Sequence, residues 1–301
     1  MISSSDFRVT LLGTGVPTPR PDRFGPSTLV EAGDQTLLID AGRGATIRLY
    51  QLGVPMGRID ALLLTHYHSD HTSGIPDVWL TGWLQSHYAT RRAPFRVIGP
   101  TGAKDVMTNL ERAYAADIKI RIADEKLPPE GIAVAVEEFA ADGVVYEKNG
   151  VKVIAFEVDH GDVIKPAYGY RIEYGGRAAV ISGDTRYNEN VVKHGAGADL
   201  LIHEVAIARP ELMSEPYVQR IMAHHTTARE AGMVFSRTTP KLAAFTHLVF
   251  LASERVPAAT LSDLIAETRQ TYGGPLEIGE DLMAFEIGDA VRVRRHQHKA
   301  E

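Results

Sequence analysis

In the stretch LLLTHYHSDH, residues 62–71, an apolar run typical of a buried strand is followed at once by three histidines and an aspartate. Neutral imidazole and carboxylate are ligands that Zn²⁺ and similar divalent ions prefer. His66 and His68 are two residues apart in an extended segment, so both can turn towards one ion. Asp70 and His71 follow an expected bend and are placed to hold a second ion. The residue types and their spacing therefore predict a metal site at the end of this strand.

Four further apolar segments, each expected to be a strand, also end directly in a histidine or an acidic residue. Ligands and catalytic groups of open α/β sheets gather beyond the carboxyl ends of the strands. We therefore expect these polar groups to converge with residues 66–71 on one rim of the molecule. The residues at the four ends are His160, Asp184, His203 with Glu204, and His247.

The elements that must position these groups are interleaved strands and helices. Residues 7–12, 27–31 and 35–39 are predicted strands, followed by a predicted helix over residues 45–52. Residues 118–174 have a mostly strand-like pattern, and in the second half of the chain predicted strands and helices alternate more plainly. Such alternation is typical of an α/β protein with helices on the faces of largely buried sheets.

The composition is that of an ordinary folded protein and excludes several chemistries. The 301 residues are 44% hydrophobic and 23% charged, which argues against global disorder. The formal net charge of −6 provides no general attraction to nucleic acid or to anionic membranes. The chain has no cysteine, which excludes disulfides, thiolate ligands and a cysteine nucleophile.

The organisation of the chain predicts one cytoplasmic domain over residues 1–301. No linker or repeat divides the sequence, and its first residues lack the pattern of a signal peptide. No apolar stretch approaches the roughly 20 residues that span a bilayer, so we expect no membrane partner. The basic tail from about residue 290 is expected to be frayed. A homodimer is left open.

The stretch THYHSDH, residues 65–71, matches the signature of the metallo-β-lactamase superfamily. The segments VDHGD, SGDT and FTHL follow in that family's order, and Asp40 in LLIDAG is similar to its strand-end aspartate. The resemblance covers residues 7–286. It implies an α/β fold of the four-layer αβ/βα sandwich type, with a two-metal site between two sheets.

The resemblance also implies which residues bind two divalent ions. Zinc is preferred, and manganese or iron is compatible with the same ligands. A glutamate usually replaces His68 in oxygen-reducing diiron relatives, so a hydrolytic site is favoured. Two ions about 3.5–4 Å apart can share a hydroxide that acts as the nucleophile. One ion would be bound by His66, His68 and His160. The other ion would be bound by Asp70, His71 and His247, and Asp184 would bridge the two ions.

The segments LLIHEVAI and AHHTTAREAG most resemble the ribonuclease Z branch of this superfamily. The resemblance implies that Glu204 orients His225, which acts as general acid on the leaving group. A carboxylate partner raises the pKa of an imidazole, as an acid requires. Asp70 joins these two residues in the predicted catalytic set. The neighbouring His224 is the alternative acid.

Three features depart from the enzymes that process tRNA. The loop GTGVPTPRPDRFGPS, residues 13–27, is long and resembles that of small-molecule relatives described as arylsulfatases or cyclic phosphodiesterases. The segment after His247 lacks their His-Phe-Ser-x-Arg-Tyr ending, and no Gly- and Lys-rich arm lies between His71 and His160. We therefore expect small phosphodiesters, or related sulfate and phosphonate esters, as substrates, and do not expect tRNA.

Several alternatives stay open at this point. Arg20 and Arg23 could grip an anionic substrate group if their loop covers the metals, or could be exposed loop residues. Trp79 and Trp83 could wall a pocket but fit a helix core slightly better.

The competing functions are hydrolysis of a carboxylic ester, lactone or β-lactam, cleavage of tRNA as a 3′-endonuclease, and a metal-holding scaffold without turnover.

Overall fold

A computed structural model describes residues 6–296 as two β-sheets packed face to face, with helices on their outer faces. The strands in this range are β1 (Phe7–Gly13), β2 (Ser27–Ala32), β3 (Gln35–Ile39), β4 (Ala61–Leu63), β5 (Phe95–Pro100), β6 (Val134–Phe139), β7 (Gly143–Lys148), β8 (Val151–Glu157), β9 (Tyr168–Tyr174), β10 (Arg177–Ile181), β11 (Leu200–Ile207), β12 (Leu242–Phe250), β13 (Leu276–Ile278), β14 (Ala284–Ile287) and β15 (Val291–Arg294).

The α-helices connect these strands and cover the sheets. They are α1 (Ala45–Gln51), α2 (Ser69–Thr72), α3 (Ile75–Trp83), α4 (Ala103–Ala113), α5 (Ala115–Asp124), α6 (Glu189–Gly195), α7 (Pro216–Met222), α8 (Ala228–Thr238) and α9 (Leu261–Thr268). Within the described residues, no helix is both long enough and apolar enough to cross a membrane.

Each sheet has an antiparallel half and a parallel half. The first sheet has the order β15-β14-β1-β2-β3-β4-β5-β6 and is parallel from β3 to β6. The second has the order β13-β12-β11-β10-β9-β8-β7 and is parallel from β10 to β13. Parallel strands place their carboxyl ends at one edge, so the residues after β4 and β10 and those in the second halves of β11 and β12 lie towards a common rim.

Three apolar layers hold the sandwich together. Side chains alternate along each strand, so Leu37 and Ile39 of β3 enter the layer between the sheets while Leu38 enters the layer under α1 and α3. A third layer, which includes Phe235, lies between the second sheet and helices α6, α8 and α9. Because the central strands are covered on both faces, their sequences are nearly continuous runs of apolar residues. The expected four-layer αβ/βα sandwich is confirmed.

Two expectations about elements are wrong. Residues 115–124 form helix α5, although Ile118, Ile120 and Ile122 alternate with polar residues as in a strand. In the helix, Ile118 and Ile122 pack against the core, whereas Ile120 stays 62% exposed. The tail expected to be frayed from about residue 290 begins as strand β15, which pairs with β14. Residues 297–301 of that tail lie outside the described residues.

The two tryptophans are core residues and not part of a substrate pocket. Trp79 and Trp83 of α3 are fully buried. Their indole N–H groups donate to the carbonyl oxygens of Ile132 and Pro128, at 2.9 and 2.8 Å. Each buried polar group is thereby satisfied, and the pair fastens α3 to the segment that precedes β6.

Candidate metal centre

The signature histidines lie where β4 gives way to the short helix α2. His66 and His68 are in the extended segment between the two elements, and their rings are 4.8 Å apart. Helix α2 begins at Ser69 and turns the chain, which brings Asp70 and His71 back towards His66. All of these side chains are buried except that of His68, which is partly exposed. The four residues therefore form one cluster, as their spacing predicts.

His247 reaches the cluster from a β-bulge in β12. We expected β11 to end at Glu204 and β12 to end at His247, but both strands continue, to Ile207 and Phe250. The pairing shifts between Glu204 and Val205, and His247 is the extra residue, with a positive φ of 44°. A bulge bends its strand and re-aims one side chain, here the imidazole of His247.

The ligand atoms form two compact groups. His66, His68, His160 and Asp184 have ligand atoms within 4.8 Å of one another, and so do Asp70, His71 and His247. The carboxylate of Asp184 lies between the groups. Its Oδ2 is 3.8 Å from Nε2 of His160 and 3.9 Å from Nε2 of His66, in the first group. It is 3.3 Å from Nε2 of His71 and 3.2 Å from Nε2 of His247, in the second.

Residues outside the cluster set which ring nitrogens face it. Nδ1 of His71 contacts Oδ2 of Asp40 at 2.7 Å, and Asp40 also accepts from the backbone and side chain of Thr65. Nδ1 of His160 contacts the carbonyl oxygen of His224 at 2.8 Å. Partners of this kind, on the nitrogen away from a metal, are typical of metal-binding histidines. In both rings Nε2 is left to face the centre.

The arrangement fits divalent ions on its own chemistry. Nε2 of His71 is buried and makes no well-aligned hydrogen bond among the described residues, although Oδ2 of Asp184 lies 3.3 Å away. A buried polar atom without a partner is costly, and metal coordination would satisfy it. The donors are imidazole nitrogens and carboxylate oxygens, as zinc, manganese and iron accept.

The charges of the cluster are strongly coupled. Burial would lower the pKa of His71, but the carboxylates of Asp184 and Asp40 raise it well above the ordinary value. Burial would likewise raise the pKa of Asp184, but His247 and His71 hold it well below its usual range. Without ions, protons on the histidines balance the buried carboxylates, so metal ions must compete with protons for this site.

A buried ion pair stands beside the ligands. Nδ1 of His225 is 3.2 Å from Oε2 of Glu204, although the two atoms are not aligned as a hydrogen bond. Oε1 of Glu204 accepts from the backbone N–H groups of Thr185 and Thr226, at 3.2 and 3.0 Å. Burial would lower the pKa of His225, but Glu204 raises it to about 9. The ring of His225 is 5.5 Å from that of His247, so its proton is close to the cluster.

Local structure explains why His225 and not its neighbours has this partner. Side chains alternate along β11, so Glu204 faces the space between the sheets, while His203 faces Phe235 of α8 and its Nδ1 contacts the carbonyl oxygen of Glu204. Helix α8 begins at Ala228, after a reciprocal cap in which Oγ1 of Thr227 accepts from the backbone N–H of Glu230 and the carboxylate of Glu230 accepts from the backbone N–H of Thr227. Burial and nearby histidines lower the pKa of His224 to about 4.

The two loop arginines, for which the sequence left two roles open, make their observed contacts away from the metal ligands. Arg20 is exposed and pairs with Asp22 at 2.8 Å. Nη1 of Arg23 donates to Oγ1 of Thr14 and to the carbonyl oxygen of Gly279, at 2.6 and 2.7 Å. These bonds turn Arg23 away from the metal centre, into a separate cavity of about 370 Å³. Its observed contacts hold the loop in place.

Asp281 anchors the same loop, and sequence reasoning missed it. Its carboxylate accepts from the backbone N–H groups of Thr14 and Phe24, at 2.9 and 2.8 Å. It also pairs with buried Arg48 at 2.9 Å. Nothing in the surrounding sequence distinguishes Asp281 from an ordinary turn aspartate, because its partners lie more than 200 residues away.

The chain is similar to known proteins over almost its whole length. The sequence model of the beta-lactamase superfamily domain matches residues 35–248. Ribonuclease Z of Mycobacterium marinum is 37% identical over 286 residues, which cover 93% of this chain and 99% of the relative. Ribonuclease Z of Mycolicibacterium gilvum is 38% identical over 291 residues, covering 95% and 98%.

Solved structures have the same fold. The metallo-beta-lactamase fold protein YhfI of Bacillus subtilis superposes with a TM-score of 0.70 at 20% identity, covering 93% of this chain and 98% of that one. The short form of human tRNase Z gives a TM-score of 0.69 at 22% identity, covering 92% and 98%. At these identities the superpositions show a shared fold.

The chain therefore belongs to the metallo-β-lactamase superfamily. Its relatives place it in the ribonuclease Z branch, and it is a metal-dependent hydrolase. The expectation that tRNA is not a partner is wrong, since the relatives at 36–38% identity are named Ribonuclease Z. That expectation rested on loops and peripheral segments, which vary more among homologues than the scaffold does.

Proposed function

We propose that the protein is a two-metal phosphodiesterase of the ribonuclease Z kind, with precursor tRNA as its substrate. The buried pair of Glu204 and His225 carries this proposal, because it places a proton donor beside the cluster of metal ligands. Hydrolysis of a phosphodiester requires both a nucleophile and protonation of an alcohol that leaves poorly. The relatives named Ribonuclease Z support RNA as the substrate class.

In this proposal the seven predicted ligands hold two divalent ions. Such ions, when bound, lower the pKa of a water to near neutrality and offset negative charge on the phosphoryl oxygens. Zinc suits the ligands best, and manganese or iron is compatible with them. The ligands are divided as the family resemblance implies: His66, His68 and His160; Asp70, His71 and His247; and Asp184 between them.

The remaining residues prepare the site and move a proton. His225 is protonated at neutral pH because its pKa is raised to about 9, and it donates this proton to the leaving oxygen. Glu204 stabilises the protonated ring and is itself held by Thr185 and Thr226. Asp40 orients His71 through its contact with Nδ1.

Small phosphodiesters, with related sulfate and phosphonate esters, are a second candidate substrate class. The partly exposed ring of His68 supports this candidate, because it leaves one side of the centre open to a small ester. The same proton donor would serve either class. The two classes differ in which substrate reaches high kcat/KM.

The test combines metal content with a choice of substrates. The purified protein is analysed for zinc, manganese and iron, then incubated with a precursor tRNA that carries a 3′ trailer. Parallel reactions contain bis(p-nitrophenyl) phosphate, an aryl sulfate and a lactone. We expect about two ions per chain and release of the trailer, with slower release at neutral pH in the Glu204→Gln variant.

Other outcomes would contradict the proposal in distinct ways. Hydrolysis of only bis(p-nitrophenyl) phosphate would favour the small-ester candidate. A preference for the lactone would indicate a carboxylic ester hydrolase. Two bound ions without turnover of any substrate would indicate a metal-holding scaffold.

A further inference from the structure

His224 borders the metal centre without being one of its ligands or the proton donor. Its ring is 5.0 Å from that of His160 and 4.7 Å from that of His225. The side chain is partly exposed, while its Nδ1 is buried and has no hydrogen-bond partner among the described residues. The exposed part of the ring can be reached by a bound molecule, whereas Nδ1 itself is shielded from solvent.

The position of His224 is fixed by its backbone and by its neighbours. Its carbonyl oxygen contacts Nδ1 of His160 at 2.8 Å. Gly161, with a φ of 103°, comes so close that an added Cβ would lie 3.1 Å from Cβ of His224. The imidazole is therefore held next to His225, on the side of the centre where the leaving group receives its proton.

His224 does not complete a third metal site. Ligand atoms of His160, His224 and His225 lie within 4.8 Å of one another. However, Nδ1 of His160 already contacts a carbonyl oxygen, and Nε2 of the same ring lies 3.8 Å from Asp184 in the main cluster. Only two histidines would remain for an ion, fewer than the three protein ligands of catalytic zinc sites.

The chemistry of an RNA leaving group matches this placement. A phosphodiester in RNA has two bridging oxygens, and O3′ is the one with a hydroxyl on the neighbouring carbon. If His225 protonates O3′, this 2′-hydroxyl lies within a few ångströms of the donor, towards one of its flanks. A hydroxyl can donate to one imidazole nitrogen or accept from another. The 2′-hydroxyl is also the group that distinguishes RNA from DNA.

We propose that His224 is a specificity residue, which hydrogen-bonds the hydroxyl adjacent to the leaving oxygen and so favours ribonucleotide esters. This inference rests on the proposed phosphodiesterase function. It implies that the leaving group binds on the side of the metal centre where His224 and His225 lie. It also gives a role to a histidine that the two-metal mechanism does not use.

Two precursor tRNAs test the proposal, identical except for a 2′-hydrogen in place of the 2′-hydroxyl at the mapped cleavage nucleotide. We expect the wild-type protein to cleave the all-ribose substrate about tenfold faster in kcat/KM, in line with the value of one hydrogen bond. The His224→Ala variant should lower this ratio towards one, by slowing the ribose substrate more. His224→Asn, which keeps a donor and an acceptor, should retain part of the preference.

His87→Ala is the matched control, because His87 is exposed and contacts Tyr50 and Tyr88, apart from the metal centre. This variant should keep the wild-type ratio. Equal slowing of both substrates by His224→Ala, or no ribose preference in the wild type, would overturn the proposal. Cleavage of neither substrate by the wild type would instead contradict the proposed function itself.

Binding provides a readout that does not depend on turnover. Two product-like oligonucleotides, one ending in ribose and one in 2′-deoxyribose, are compared by fluorescence anisotropy. The wild type should bind the ribose end more tightly, and His224→Ala should lose that difference while keeping its metal content. Loss of metal in the variant would indicate that His224 only supports His160, and would overturn the specificity role.

Discussion

At the scale of single residues, the decisive contrast is between the adjacent imidazoles of His224 and His225. Both lie in the same turn, but only His225 faces the carboxylate of Glu204. Glu204 raises the pKa of His225 to about 9, whereas burial and the neighbouring His225 and His160 lower the pKa of His224 to about 4. At neutral pH one ring carries a proton to donate and the other is neutral.

The His225→Ala variant should separate substrates by their leaving groups. We expect it to slow esters with poor leaving groups by about 100- to 10,000-fold, the usual contribution of a general acid. Activated p-nitrophenyl esters should be slowed far less, since their leaving group needs no proton. Steady-state kinetics on both classes, with elemental analysis of the metals, provide the check. Equal slowing of both classes would remove the assignment of His225 as the acid.

The Glu204→Gln variant should change the pH dependence. In the wild type, activity on poor leaving groups should fall as pH rises through about 9, because His225 then loses its proton. Glutamine removes the charge that raises this pKa, so the alkaline limb should move to lower pH. A pH profile of kcat for both proteins measures the shift. An unchanged alkaline limb would mean that another group titrates there.

At the scale of elements, a few anchors determine how loops and strand ends meet the centre. The bulge in β12 directs His247 inwards, and Asp281 ties the loop after β1 to the turn before β14. Asp281 and Arg48 are both buried, with side-chain exposures of 4% and 7%. Their ion pair is therefore shielded from solvent, unlike most pairs at the surface.

The Asp281→Ala variant should be strongly destabilised. It would leave the guanidinium of Arg48 buried without its carboxylate, which costs about 3–5 kcal/mol in comparable cases. Denaturant unfolding gives the change in the free energy of unfolding. Asp289→Ala is the control, because Asp289 is fully exposed and its pair with Arg177 is solvated. Equal stability of the two variants would show that the anchor contributes little.

At the scale of the whole molecule, the sandwich brings ligands from both sheets to one rim. Residues 66–71 follow β4 of the first sheet, whereas His160, Asp184 and His247 belong to the second. Ions bound between them would link the two sheets. Metal binding should therefore contribute to the stability of the fold as well as to catalysis.

Removal of the metals should lower the thermal stability of the wild type. At free metal about 100 times Kd, binding contributes about 3 kcal/mol, which a chelator would abolish. The Asp184→Ala variant should hold one ion or none and respond little to the chelator. Asp162→Ala, at a side chain 91% exposed, should behave as wild type. Two retained ions and full activity in Asp184→Ala would refute the bridging role.

Much of this protein is determined by short stretches of its sequence. The types and spacing of residues 66–71 predict a metal site, and the α/β class follows from the order of apolar runs, whereas the four-layer sandwich is what the family resemblance implies. These features depend on local geometry, such as the turn at α2 and the covering of strands on both faces. They could therefore be predicted without knowing any long-range contact.

Tertiary contacts, by contrast, set the features that depend on residues distant in sequence. Helix α5 formed despite its strand-like pattern because Ile118 and Ile122 find a core to pack against. Arg23 turned away from the metals because its partners, Thr14 and the carbonyl of Gly279, lie elsewhere. Between His224 and His225, which the sequence left as alternatives, the structure favours His225 as the acid because β11 brings Glu204 to it. Energies of burial and pairing arise from such contacts, and local sequence does not contain them.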